Sequence, residues 1–143
     1  MNRKEFLTKL SISALPVLVG ISPYLQSCKK EDEAACNQPT SAVDFTIDLN
    51  DDTYNALKNN GGFVYKDAVI IARTSSGNFI AVSQTCTHTG YTVKFDASNN
   101  FPCPCHGSKF DSNGNVIIGP AECPLRKYTT SLNLNGNLLR VFS

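Results

Sequence analysis

The sequence predicts an all-β fold, a small antiparallel sandwich or barrel, and three observations carry that expectation. Short runs of β-branched and aromatic residues recur along the chain, turn signals rich in Gly and Asn separate them, and a single short stretch has helical character. The runs, in order, are Val43 to Leu49, Phe63 to Lys66, Ala68 to Thr74, Phe79 to Ser83, Tyr91 to Phe95, Val116 to Ile118, Tyr128 to Leu132 and Leu138 to Phe142. Ser76-Gly77-Asn78, Ser112-Asn113-Gly114-Asn115 and Asn135-Gly136-Asn137 read as hairpin turns, because Gly and Asn tolerate positive φ. Asp51 to Asn59 is the helical stretch, with Asp51 or Asp52 as its cap. Strands this short and this regularly spaced fit a sandwich or barrel better than a helix-covered parallel sheet.

With 143 residues the chain has room for one compact domain and one core. A formal net charge of +1, with 17% charged residues and no long basic run, gives no footprint for a polyanion, so no nucleic-acid partner is expected. Six cysteines accompany only two histidines, and both histidines lie within three residues of a cysteine.

Residues 1–27 read as an export signal: Arg3 and Lys4, an apolar stretch from Leu10 to Gly20, then Leu25-Gln26-Ser27-Cys28. Pro16 and Pro23 interrupt it, and the apolar stretch is too short for a spanning helix. The Leu-x-small-Cys ending resembles the lipobox of bacterial lipoproteins, which implies cleavage before Cys28, a lipid anchor on its thiol and a membrane partner. Arg3-Lys4-Glu5-Phe6-Leu7 resembles the twin-arginine motif, but Lys4 stands where the second arginine belongs, which leaves the export route open. Residues 28–41 are too poor in large apolar side chains to pack and read as a disordered tether; their acidic run resembles surface-export signals. The expected product is an exported protein, periplasmic or cell-surface, with its domain at 42–143 and a near-neutral charge.

Two segments stand apart from the strand pattern: Cys86-Thr87-His88-Thr89-Gly90 and Cys103-Pro104-Cys105-His106-Gly107-Ser108. Each holds a Gly, the second also a Pro, and each reads as a tight loop that turns one thiol and one imidazole toward a common point. Equal numbers of sulfur and nitrogen donors suit a tetrahedral zinc or an iron–sulfur cluster. Zinc fingers pair like donors, Cys with Cys and His with His, whereas each loop here supplies one of each; mixed pairing fits a binuclear site with two Cys on one iron and two His on the other.

These motifs, followed by Lys109-Phe110-Asp111 and by Gly119-Pro120-Ala121, resemble the Rieske family. The resemblance implies a [2Fe–2S] cluster held by Cys86 and Cys103 on an inner iron and by His88 and His106 on an outer one, with Gly119-Pro120-Ala121 as a covering loop. It further implies that the Ser108 hydroxyl bonds a bridging sulfide. Where many members carry a Tyr whose hydroxyl bonds a ligand sulfur, this chain has Phe110, so a potential below the family's upper range is expected. Cytochrome bc-type members also have a Cys just after the first Gly, bonded to the equivalent of Cys105; here that position is Tyr91. Cys105 is therefore expected to pair with Cys123, leaving Cys36 unmatched, an exported protein being a credible setting for a disulfide. The implied function is electron transfer without bond-making chemistry of its own, between a donor and an acceptor protein, with a larger oxidoreductase subunit as a candidate partner. The chain has no third histidine for a Rieske oxygenase's mononuclear iron. A zinc-stabilised binding module is the alternative reading.

Overall fold

The computed structural model describes Cys36, Gln38 and residues 40–143. The expected export signal, Cys28 and most of the expected tether lie outside the described residues. Among the described residues nine strands follow one another: β1 (Asp44–Asp48), then a 3-10 helix (Asp52–Lys58), β2 (Phe63–Lys66), β3 (Val69–Arg73), β4 (Phe79–Ser83), β5 (Phe101–Pro102), β6 (Lys109–Phe110), β7 (Val116–Ile118), β8 (Lys127–Leu132) and β9 (Leu138–Phe142). They form two antiparallel sheets, a six-stranded one ordered β1-β9-β8-β4-β3-β2 and a three-stranded one ordered β5-β6-β7. The all-β expectation holds.

The most deeply buried strand of the larger sheet is β3. Val69, Ile70, Ile71 and Ala72 are all fully buried, a continuous apolar run of the kind a strand covered on both faces requires. Successive side chains point to opposite faces. Ile70 and Ala72 pack with Val82, Val93, Phe95, Phe101 and Phe110, while Val69 and Ile71 pack with Ile47, Leu57, Leu139 and Val141. One strand thus divides the core in two, and the half holding Ile70 also holds Cys86 and Cys103.

Local chemistry sets the ends of the elements. Asp51 caps the helix by accepting a hydrogen bond from the Thr53 amide at 2.8 Å. Hairpin turns centre on Gly77, Gly114 and Gly136, all with positive φ, as expected. The β2–β3 turn was not legible: Asp67 and Ala68 both take positive φ, so Ala68 lies in the turn rather than in the strand assigned to it. Tyr91 to Phe95 also needs correction. It has the alternation of a strand, with Val93 and Phe95 buried, but beyond a single bridge between Thr92 and Thr85 its amides bond only at isolated points, Val93 to the Gln84 carbonyl in a loop and Lys94 to the Pro102 carbonyl of β5. Strands β5 and β6 escaped notice because two residues are too few for periodicity to register.

The compact unit runs from Cys36 to Ser143. Cys36 is covalently bonded to Cys123, the Gln38 side-chain amide donates to the Pro124 carbonyl, and Arg126 donates to the Ser41 carbonyl at 3.2 Å. Short side chains do not need to form a core of their own when a disulfide and side chain to backbone hydrogen bonds hold them to a neighbouring loop.

Candidate metal centre

Everything between β4 and β8 serves three loops. The first spans Cys86 to Tyr91, the second Cys103 to Ser108, and the third Gly119 to Cys123. The first two are closed in the same way. In each, the cysteine amide donates to the carbonyl five residues on, Cys86 to Tyr91 and Cys103 to Ser108, both at 2.7 Å. In each, a glycine four residues on donates back to the cysteine carbonyl, Gly90 at 2.9 Å and Gly107 at 3.2 Å. Both glycines have φ near +80°, at +79° and +81°, a conformation that strains any residue with a Cβ. Space is not the constraint at Gly107, where an added Cβ would meet nothing within 4 Å.

This closure sorts the four donors by type. Cys86 and Cys103 are buried, 1% and 2% exposed, and their thiols are hydrogen-bonded to each other. Burial pushes the Cys86 thiol above its usual pKa, and its neighbour Cys103 adds to this against the hydrogen bonds from the His88 and Thr89 amides. A thiol raised in this way ionises more readily beside a cation, as Cys86 would in a metal centre. His88 and His106 are exposed, their rings edge to face with centroids 4.9 Å apart. Among the described residues no three His, Cys, Asp or Glu side chains converge as a single metal ion requires. A buried pair of sulfurs beside an exposed pair of nitrogens fits a binuclear cluster with unlike irons.

The surroundings hold these loops in place. Ser108, fully buried, accepts a hydrogen bond from the Ala121 amide at 3.0 Å, which leaves its own proton free to be donated elsewhere. Thr87 donates to the Cys123 carbonyl at 2.6 Å, and Tyr65 of β2 donates to the Val93 carbonyl at 2.8 Å. Thr89 and His106 approach through Oγ1 and Nδ1 at 3.4 Å. Thr87 was not singled out from the sequence, since a lone hydroxyl in a loop carries no pattern.

A family-model match settles the kinship: the Rieske [2Fe-2S] domain matches residues 45–129. The chain belongs to the Rieske family. Curated relatives include the cytochrome b6-f complex iron-sulfur subunit of Chlorobaculum thiosulfatiphilum, 30% identical over 137 residues, covering 89% of this chain and 68% of that protein. The corresponding subunit of Chlorobaculum tepidum is 37% identical over 79 residues, 53% of this chain and 44% of that protein. Among solved structures, the plasma membrane Rieske protein PetC3 of Synechocystis PCC 6803 is 33% identical with a TM-score of 0.54, covering 69% of this chain and 99% of that one. The ferredoxin of carbazole 1,9a-dioxygenase from Nocardioides aromaticivorans IC177 shares the fold, at 22% identity and a TM-score of 0.53, over 71% of this chain and 97% of that one. As a Rieske protein the chain carries a [2Fe–2S] cluster and transfers electrons, and the zinc-stabilised alternative finds no support.

One pairing expected of the Rieske domain is overturned. Cys123 is bonded to Cys36, and Cys105 is a free, exposed thiol. Cys123 is buried and serves as the attachment for the N-terminal segment, whereas Cys105 lies beside the histidines, its sulfur 3.8 Å from Nε2 of His106. Where other members place the second cysteine, Tyr91 stands with its hydroxyl hydrogen-bonded to the Cys105 thiol, which raises the Tyr91 pKa. The two loops therefore still meet at this point, through a weak contact instead of a covalent one.

Asp96 braces the connection between the first two loops. Its carboxylate accepts hydrogen bonds from the Ser98 amide at 2.9 Å and the Asn100 amide at 3.0 Å and pairs with Lys109 of β6 at 3.1 Å. Burial opposes its ionisation, but the Asn100 amide, the Lys109 ammonium and the Ser98 amide outweigh burial and hold its pKa below the ordinary 3.8. A carboxyl depressed on folding stabilises the fold above its unfolded value and loses that contribution as pH falls through the folded one. The melting temperature is therefore expected to fall below about pH 4. Asp96→Asn should show a shallower acid decline than the parent in melting curves recorded between pH 6 and pH 2.

Proposed function

We propose that Cys86 and Cys103 hold the inner iron and His88 and His106 the outer one, and that the protein passes single electrons between an exported donor and acceptor. The sorting of donors into a buried thiol pair and an exposed imidazole pair carries this reading. When bound, the cluster supplies a one-electron couple, whose potential the protein tunes through burial and hydrogen bonds. Ser108, whose hydroxyl oxygen accepts from the Ala121 amide, keeps a proton that it would donate to a cluster sulfide. The exposed imidazoles give a partner protein close approach. Tyr91, Ile117 and Ile118, 53%, 52% and 54% exposed, supply apolar surface that docking would cover.

The lipobox-like Leu25-Gln26-Ser27-Cys28 supports a membrane-anchored lipoprotein, periplasmic or at the cell surface. The names of the relatives, iron-sulfur subunits of a larger complex, support a place as small subunit or redox partner of an exported oxidoreductase. The full chain purified from membranes should be brown and, once reduced, give the paramagnetic resonance signal of a Rieske centre; a colourless protein holding zinc overturns the assignment. Cys28→Ser should release it from the membrane fraction, and unchanged fractionation refutes the lipid anchor.

A further inference from the structure

We infer that the Cys36–Cys123 disulfide is the clamp that seats the third loop on the first, acting through the Cys123 carbonyl and the Thr87 hydroxyl. Cys36 and Cys123 would then be positioning residues for the cluster, an inference that rests on the ligand assignment proposed above.

The third loop leaves β7 without a strand partner, and Gly119, Pro120 and Glu122 are exposed while Ala121 and Cys123 are buried. Toward the site, the Ala121 amide donates to Ser108 and the Thr87 hydroxyl donates to the Cys123 carbonyl. Cys123 is the junction. Its carbonyl receives the first loop, and its sulfur is bonded to a residue 87 positions earlier in the chain. Past the junction, the Gln38 bond to Pro124 and the Arg126 bond to Ser41 continue the attachment along the same two segments.

Thr87 stands between Cys86 and His88, so a shift of the Cys123 carbonyl reaches one proposed ligand to each iron. Nothing covalent joins the first two loops to each other at Tyr91 and Cys105, and a thiol–hydroxyl contact at an exposed site competes with water. The closure that a disulfide between those loops would give is thus transferred to the back of the third loop. A crosslink over so long a separation removes much freedom from the open state, and closing a loop is where that counts.

The test uses the full chain with its cluster. In the parent, peptide mapping without reduction should recover Cys36 linked to Cys123. The rate at which the cluster's absorption bleaches, the midpoint potential and the reduced-state g-values are then compared among variants. Cys36→Ser/Cys123→Ser should bleach faster than the parent, by up to about the fivefold factor expected of Thr87→Val. Thr87→Val should bleach about fivefold faster, the factor for one ordinary hydrogen bond. Both variants should shift the g-values in the same sense, and Thr87→Ser should restore the parent's behaviour. Because one clamp acts through the other, adding Thr87→Val to the disulfide-free variant should change bleaching by less than about twofold.

Independent, multiplying effects overturn the proposal, as do unchanged bleaching and g-values in the disulfide-free variant, or a free Cys36 thiol in the parent. Should the disulfide-free variant not fold, the Thr87→Val and Thr87→Ser pair decides, since parent-like bleaching in Thr87→Val removes the link. Failure of the ligand assignment is distinct: it leaves a normal Rieske signal in His88→Ala or His106→Ala or abolishes it in the parent, whereas failure of the clamp leaves the parent's signal in place with the disulfide and Thr87 variants matching it.

Discussion

Replacing either His88 or His106 by Ala is expected to abolish the Rieske-type paramagnetic resonance signal. These are the only two histidines in the chain, so no other imidazole exists to take the vacant position. Each is one of two nitrogens proposed for the outer iron, and a single nitrogen leaves that iron open to water and the cluster open to loss. Both side chains are exposed, and truncating an exposed ring opens no cavity in the core. The cluster-free forms of parent and variants should therefore unfold within about 0.5 kcal/mol of one another. Loss of signal with that stability retained identifies a ligand; loss of both identifies a structural residue. A normal signal in either variant refutes the assignment.

Phe110→Ala should cost about 3–5 kcal/mol, a large part of the 5–15 kcal/mol that holds a typical domain together. The ring is fully buried in the half of the core that also contains Phe101, Cys86 and Cys103. Its strand, β6, is the middle strand of the small sheet, so the cavity would open beneath the second loop. Urea unfolding of the cluster-free protein measures it, and a cost below about 1 kcal/mol would mean that the core there is able to collapse. Phe110→Tyr separates packing from redox tuning. It keeps the ring and restores the hydroxyl that the family pattern places on a ligand sulfur, so the midpoint potential should rise with stability little changed. Voltammetry on both proteins tests this, and an unchanged potential removes Phe110 from the tuning role.

The sequence by itself determined the fold class and the chemistry of the site. Alternating apolar runs such as Leu138 to Phe142 and turns such as Asn135-Gly136-Asn137 are governed by neighbours along the chain, and the structure places both where that reading put them. Cys86, His88, Cys103 and His106 were legible as candidate donors, because they lie in short loops whose closure depends on nearby glycines.

What only the tertiary structure decided involves partners far apart in sequence. Cys123 could in principle bond to Cys105 or to Cys36, and which sulfur it reaches depends on where Cys36, Gln38 and Ser41 attach to the loop after β7, a matter of packing and not of local pattern. Thr87 drew no attention until the Cys123 carbonyl lay 2.6 Å away. Tyr91 to Phe95 has a strand's alternation but no continuous neighbouring strand, and a strand exists only where another backbone is there to pair with it.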